Sequence, residues 1–164
     1  PKQFREAGFV ERVRVILADT GAPPERLTLE ITESVVIDNI EQTVERMHTL
    51  KALGISFSVD DFGTGHSSLA YLKRLPLDTL KIDQSFVRDI GTDPNDAVIV
   101  ETIIVMARHL GMEVIAEGVE TDEALRFLLS RGCRQFQGFL FGKPEPINRL
   151  HSRLHTPQAV EASG

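Results

Sequence analysis

The feature that most limits what this chain can fold into is an alternation of short β-branched runs with longer stretches of helical period. The runs Leu27–Thr32, Ser56–Asp60, Thr79–Ile82, Glu113–Ala116 and Gln135–Leu140 read as strands, and Val10–Thr20, Ile40–Leu53, Ser67–Leu75, Asp96–Leu110 and Asp122–Arg131 read as helices. Strands that take turns with helices in this way build a parallel sheet covered by helices. Gly21, Gly54, Gly111 and Gly132 each stand just past a helical stretch, where a left-handed residue commonly closes the last turn. Asp93-Pro94 and Thr121-Asp122 suit helix starts, although Ala124 denies Thr121 a full capping box. With 164 residues, 41% of them hydrophobic, the chain can hold one cored unit and not two comfortable ones. The period fades after about Leu150, so residues 1–150 are expected to form the domain and 151–164 a tail or linker.

Charge and cysteine usage remove several classes of function. The net charge is −6, and Lys and Arg are scattered among acids instead of forming a basic stripe, so no nucleic-acid partner is expected. Cys133 is the single cysteine, which allows no internal disulfide; a buried, inert thiol and a cytoplasmic location are the expectation. The longest apolar stretch, Ala97–Ala107, is interrupted by Glu101 and is shorter than the roughly 20 residues of a membrane span. No membrane segment is expected.

Each strand candidate ends in ionisable or hydrogen-bonding residues. These are Glu30 and Glu33 in "LTLEITE", Asp60 and Asp61 in "FSVDDF", Lys81 and Asp83 in "LKID", Glu117 and Glu120 in "VIAEGVE", and Gln137 in "QFQGFLF". Parallel strands bring their C-terminal ends to one rim, which in a β/α barrel carries the active site. One polar strand end can be a solvated turn; five in succession point to a site.

Left unpaired in a cleft, Glu30, Asp60, Asp61 and Glu117 would raise one another's pKa values, so a cation must neutralise them. No His or Cys stands at ligand spacing, and an all-oxygen donor set favours Mg²⁺ or Mn²⁺. Adjacent Asp60 and Asp61 suggest two ions, because the chain turns at the strand end and both carboxylates can address the rim. Two ions about 3.5–4 Å apart clamp the attacking and leaving oxygens of a phosphoryl displacement. In "FGTGHSS", Gly63 and Gly65 let the backbone approach a ligand, and Ser67 or Ser68 can cap the next helix to make an anion site. An ordinary βα turn would use the same glycines. Lys81 could polarise a water or stabilise transition-state charge. It could also simply form a strand-end salt bridge to Asp83 or a neighbour, or form a Schiff base as in class I aldolases, which would not need the acids.

Five signatures, "LEITES", "VDDFGTGHSSL", "LKIDQSFV", "VIAEGVET" and "QGFLFGKP", occur in this order over nearly the whole chain. Through them the sequence closely resembles the EAL-domain family of cyclic di-GMP phosphodiesterases. The resemblance implies a TIM-type β/α barrel that uses two Mg²⁺ or Mn²⁺ ions to hydrolyse cyclic di-GMP to linear pGpG in bacterial second-messenger signalling. By position it implies that Glu30 and Asp60 are metal ligands, Asp61 a ligand of the second ion, and Glu117 a metal-site residue and general base. Lys81 and Gln137 match residues of the water and metal network, Glu33 the glutamate that steadies the Asp-Phe-Gly loop, and Glu120 a substrate-side position. Gly63, Gly65 and Asp83 lie in the same signatures as substrate or loop support. A sensory or GGDEF-type domain attached in the full protein is the further implication.

The departures from the family pattern are specific. No Glu-Ala-Leu motif precedes "LTLEITES", and the opening "PKQF" resembles the tail of a segment whose asparagine ligand is absent here. His66 stands where tyrosine is commoner. The chain is therefore expected to be the C-terminal two-thirds of the domain, about five βα units with the N-terminal strands missing. Five parallel strands cannot close an eight-stranded barrel, which typically takes about 250 residues. An edge strand near Leu27 or near Phe139 would then carry unpaired backbone groups, and a homodimer is one way of covering the gap. The expected function is a metal-dependent phosphodiesterase, inactive as this truncated chain. The alternatives are a catalytically silent cyclic di-GMP receptor or interaction scaffold, and an unrelated metal-using barrel of the enolase kind.

Overall fold

The structure, a computed structural model, describes residues 2–32, 40–63 and 72–147. Five strands, β1 (Thr28–Thr32), β2 (Ser56–Phe62), β3 (Thr79–Ile82), β4 (Glu113–Ala116) and β5 (Gln135–Phe136), form one sheet in chain order. Every neighbouring pair is parallel. Among the described residues the helices are α1 (Lys2–Arg5), α2 (Phe9–Thr20), α3 (Ile40–Lys51), α4 (Gln84–Arg88), α5 (Pro94–His109) and α6 (Asp122–Ser130). The sheet runs from β1 at one edge to β5 at the other without closing, which is an incomplete β/α barrel.

Strand periodicity divides the sheet into two unlike faces. Ile31, Phe57, Val59, Leu80, Ile82 and Ala116 are buried with Met47, Leu50, Val100, Ile104 and Leu128 of the helices in one apolar core. Full burial of a side chain such as Leu50 or Leu80 contributes about 1.5–3 kcal/mol. The residues in between point the other way. Thr28, Ser56, Ser58, Thr79, Glu113 and Gln135 line a cleft of about 670 Å³ along that concave face. Parallel strands covered on both faces read as continuous apolar runs. These strands instead largely alternate, and their inward positions are mostly polar, with Ile115 of β4 an apolar exception in the same cleft.

The helix ends follow local chemistry. Asp93 accepts from Asn95 N–H at 2.8 Å ahead of Pro94, and Thr121 Oγ1 accepts from Ala124 N–H at 3.2 Å. Gly21, Gly54, Gly111 and Gly132 all have positive φ just after helices. One expectation is corrected, and helix α4 was not expected. The run Gln135–Leu140 is a strand only through Phe136, because the chain turns at Gly138 and Leu140 N–H donates back to Val119 O at 3.0 Å. The five-residue helix α4 is too short to carry a visible hydrophobic period, and it forms because Asp83 caps it by accepting from Ser85 N–H at 2.9 Å. Most of the expected helix Ser67–Leu75, and the expected tail 151–164, lie outside the described residues.

Candidate metal centre

β3 lies in the middle of the sheet and delivers the one cation that meets these acids among the described residues. Lys81 is only 6% exposed, and its Nζ lies 2.7 Å from Glu117 Oε1, 2.9 Å from Asp60 Oδ1 and 3.0 Å from Glu30 Oε1. One ammonium therefore joins acids from β1, from β2 and from the residue just past β4. Burial alone would depress the lysine's pKa, but the contacts its ammonium donates to Glu117, Asp60 and Glu30 outweigh it and hold the pKa well above the ordinary value. The amine stays charged throughout the neutral range. Of the strand-end salt bridges open from sequence, to Asp83 or to a neighbour, the pairing found is with acids of neighbouring strands and not with Asp83.

The two adjacent aspartates reach one rim through a bulge. Between the pairs Val59 with Leu80 and Phe62 with Ile82, β2 advances three residues while β3 advances two. Asp61 takes up the extra residue with φ 54°, a left-handed conformation that Asp tolerates better than most side chains. As a result Asp60, Asp61 and Glu117 each present an oxygen within 4.8 Å of the others. Gly63 ends the strand with φ +101°, and a Cβ there would stand 2.9 Å from the Phe86 ring, so this turn requires glycine for both conformation and space.

The electrostatics of the cluster are one-sided. Four carboxylates (Glu30, Asp60, Asp61, Glu117) against one ammonium leave a charge of 1 − 4 = −3. Burial, then repulsion from Asp60 and Asp83, raises the pKa of Asp61. Burial also acts against ionised Asp83, but the hydroxyl and N–H of Ser85 and a hydrogen bond with Asp61 hold its pKa below the usual carboxylate range. A divalent cation fits this donor set. Lys81 occupies one oxygen each of Glu30, Asp60 and Glu117, carboxylate oxygens converge from two strands, and all donors are hard.

The remaining candidates fall in different places. Asp83 is a helix cap that touches Asp61. Gln137 follows β5 and is exposed; its backbone N–H donates to Ala116 O at 2.8 Å and its carbonyl accepts from Val119 N–H at 3.0 Å. Glu120 is exposed at the far end of the loop that begins with Glu117. Glu33 and Gly65, with Ser67 and Ser68, lie outside the described residues. What sequence reading missed is the polar inner face itself. The signal was present in the alternate positions 28 and 30, 56, 58 and 60, 79 and 81, and 113 and 135.

With this geometry in hand, the relatives are informative. The chain is 47% identical over 148 residues to the "Cyclic di-GMP phosphodiesterase NbdA" of Pseudomonas aeruginosa, which spans 90% of this chain and 19% of NbdA. It is 44% identical to the bifunctional diguanylate cyclase/cyclic di-GMP phosphodiesterase MucR of the same organism, over 90% of this chain and 22% of MucR. The solved MucR phosphodiesterase in complex with c-di-GMP superposes with a TM-score of 0.85, covering 90% of this chain and 60% of that one. The manganese/cy-diGMP complex of BlrP1 from Klebsiella pneumoniae superposes with a TM-score of 0.78 at 36% identity, over 87% and 36%. The chain thus spans about a fifth of the length of the curated relatives it matches. The sequence model of the EAL domain matches residues 1–144, and with nine-tenths of the chain aligned to such relatives, this chain belongs to the EAL domain family.

Proposed function

We propose that this chain supplies the acidic half of a metal-dependent active site that hydrolyses cyclic di-GMP to linear pGpG. The observation that carries the reading is the three-way contact of Lys81 with Glu30, Asp60 and Glu117 beside Asp61. That the related NbdA and MucR are cyclic di-GMP phosphodiesterases supports the choice of substrate. Asp60, Asp61 and Glu117, with Glu30 behind Lys81, would hold Mg²⁺ or Mn²⁺, in two sites in the family pattern. Bound there, a divalent cation supplies Lewis-acid polarisation of the phosphodiester and acidifies a water.

The chain's own residues account for the rest. In the displacement a water oxygen bonds to phosphorus and gives its proton to a carboxylate, the bond from phosphorus to one ribose 3′-oxygen breaks, and that oxygen takes up a proton from solvent to become the free hydroxyl of pGpG. Glu117 is the acceptor, because it is held by Lys81 at the rim and is mostly shielded from solvent. Lys81, permanently charged, keeps Glu117 and Asp60 oriented and opposes the negative charge that builds on the phosphoryl oxygens. Gln137 and Glu120 flank the rim on the β5 side and would contact substrate or water. Asp83 holds the Asp61 side, Gly63 shapes the turn just past β2, and by the family pattern Glu33 and Gly65 would support substrate or that loop.

The test is chromatographic: cyclic di-GMP and Mn²⁺ are incubated with a complete EAL domain that contains this chain and with its Glu117→Gln variant, and pGpG is quantified. Mn²⁺-dependent pGpG that falls at least about 100-fold in the variant supports the reading. Cyclic di-GMP that binds and is never cleaved would favour a receptor instead, and neither binding nor cleavage would contradict both.

A further inference from the structure

Glu117 stands on a backbone segment gripped from two sides. On one side Gly118, with φ +68°, lies against the first residue of α4, so that a Cβ at 118 would stand 2.5 Å from Gln84 Cβ and 3.1 Å from Gln84 Cα. On the other side Gly138 lies so close to the Val119 peptide that a Cβ there would overlap the Val119 nitrogen and carbonyl oxygen. Hydrogen bonds fix the same segment: Glu117 N–H donates to Ile82 O at 3.2 Å, Val119 N–H to Gln137 O at 3.0 Å, and Leu140 N–H to Val119 O at 3.0 Å. The Val119 side chain between them is fully buried.

The first turn of α4 in turn lies beside β2, since its cap Asp83 is close enough to Asp61 to interact with it. Close approaches therefore run from Asp61 through Asp83 and Gln84 to Gly118 and Glu117, spanning the carboxylate cluster from one side to the other. The atoms facing the two glycines include main-chain atoms, which cannot rotate away as a long side chain would. An added methyl group must move the loop, and Glu117 moves with it.

We infer that Gly118 and Gly138 are positioning residues that set the reach of Glu117 toward Asp60 and Asp61, and through it the site's affinity for a divalent cation. This rests on reading the cluster as a metal site. Ligand distances in metal sites tolerate only about ±0.2 Å, and changes to the groups that orient ligands typically cost about 10–100-fold in metal affinity.

Mn²⁺ titration of the 164-residue chain followed by electron paramagnetic resonance tests the inference. Gly118→Ala and Gly138→Ala are each expected to weaken Mn²⁺ binding about 10–100-fold. Gly111→Ala is the strain control: it has φ +74°, nothing within 4 Å of an added Cβ, and should stay within about twofold of the wild type. Adding Gln84→Gly to Gly118→Ala removes the Cβ in the collision and should recover part of the loss. Unchanged affinity in both glycine variants, or an equal loss in Gly111→Ala, would overturn the inference. Should the glycine variants fail to fold, Val119→Ala and Val100→Ala, which both truncate a fully buried valine, decide the matter. The first should weaken Mn²⁺ binding and the second should not; equal affinities would overturn it. A wild-type chain that binds no Mn²⁺ would instead remove the metal-site reading, and the inference with it.

Discussion

Lys81 carries more of the site than any other residue. Replacing it with Met keeps the packing of the stem and leaves Glu30, Asp60 and Glu117 facing one another without a cation. Removing one partner from a fully buried pair costs roughly 3–5 kcal/mol. Here the carboxylates keep some solvent, so Lys81→Met is expected to lose about 2–3 kcal/mol in urea unfolding without metal. Because the folded lysine's pKa is raised, its stabilisation is complete below the ordinary lysine pKa and is lost only as pH rises through the higher folded value. The difference between variant and wild type should therefore be flat from about pH 6 to 9, and a marked pH dependence there would contradict the assignment. Cys133 is 2% exposed with its pKa raised by burial, so a maleimide at neutral pH should label it at least about tenfold more slowly in the folded chain than in denaturant. Both residues stood out in the sequence. The burial of the thiol was legible from its being alone. The partners of Lys81 were not, because which acids meet one amine is decided by strand register.

At the scale of elements, β2 does two jobs that its sequence shows unequally. Its C-terminal end bulges to turn Asp60 and Asp61 to the rim, and the adjacent acids announced that something must happen there. Its N-terminal end is held by Asp78, whose carboxylate accepts from Phe57 N–H at 2.9 Å and pairs with Lys51 at 2.5 Å. The backbone of Asp78 also bonds to both neighbouring strands, donating to Phe57 O and accepting from Glu113 N–H. Asp78→Ala leaves a strand N–H without its acceptor and should cost about 2–3 kcal/mol. Asp78→Asn keeps an acceptor oxygen and loses only a half-exposed ion pair, worth about 1 kcal/mol or less. Chemical denaturation of the two variants separates these roles, and equal losses would contradict them. Nothing in "LPLDTL" distinguishes this aspartate from an ordinary turn residue, since its partners lie 21 and 27 residues earlier. Helices α2, α3, α5 and α6 were legible to within about two residues because their caps and apolar periods are local, whereas α1 was not expected. α4 and the end of β5 were not, because a tertiary contact, Gly138 on Val119, stops the strand.

At the scale of the molecule, among the described residues the order β1-β2-β3-β4-β5 leaves two open edges and a largely polar concave face. Unpaired strand edges favour association, so light scattering of the purified chain should report a mass above its 18.2 kDa; a stable monomer would contradict this. The parallel sheet was legible from the alternation of runs, and the acidic rim from the strand ends. The central claim is that this rim is a divalent-cation site, and thermal unfolding with and without Mn²⁺, on the wild type and on Asp60→Asn, tests it most directly. Ligand binding to the folded state adds about 2.7 kcal/mol at a hundredfold excess over Kd. The wild type should unfold at a higher temperature with Mn²⁺, and Asp60→Asn should lose most of that shift. No shift in the wild type, or the same shift in both proteins, would contradict the claim.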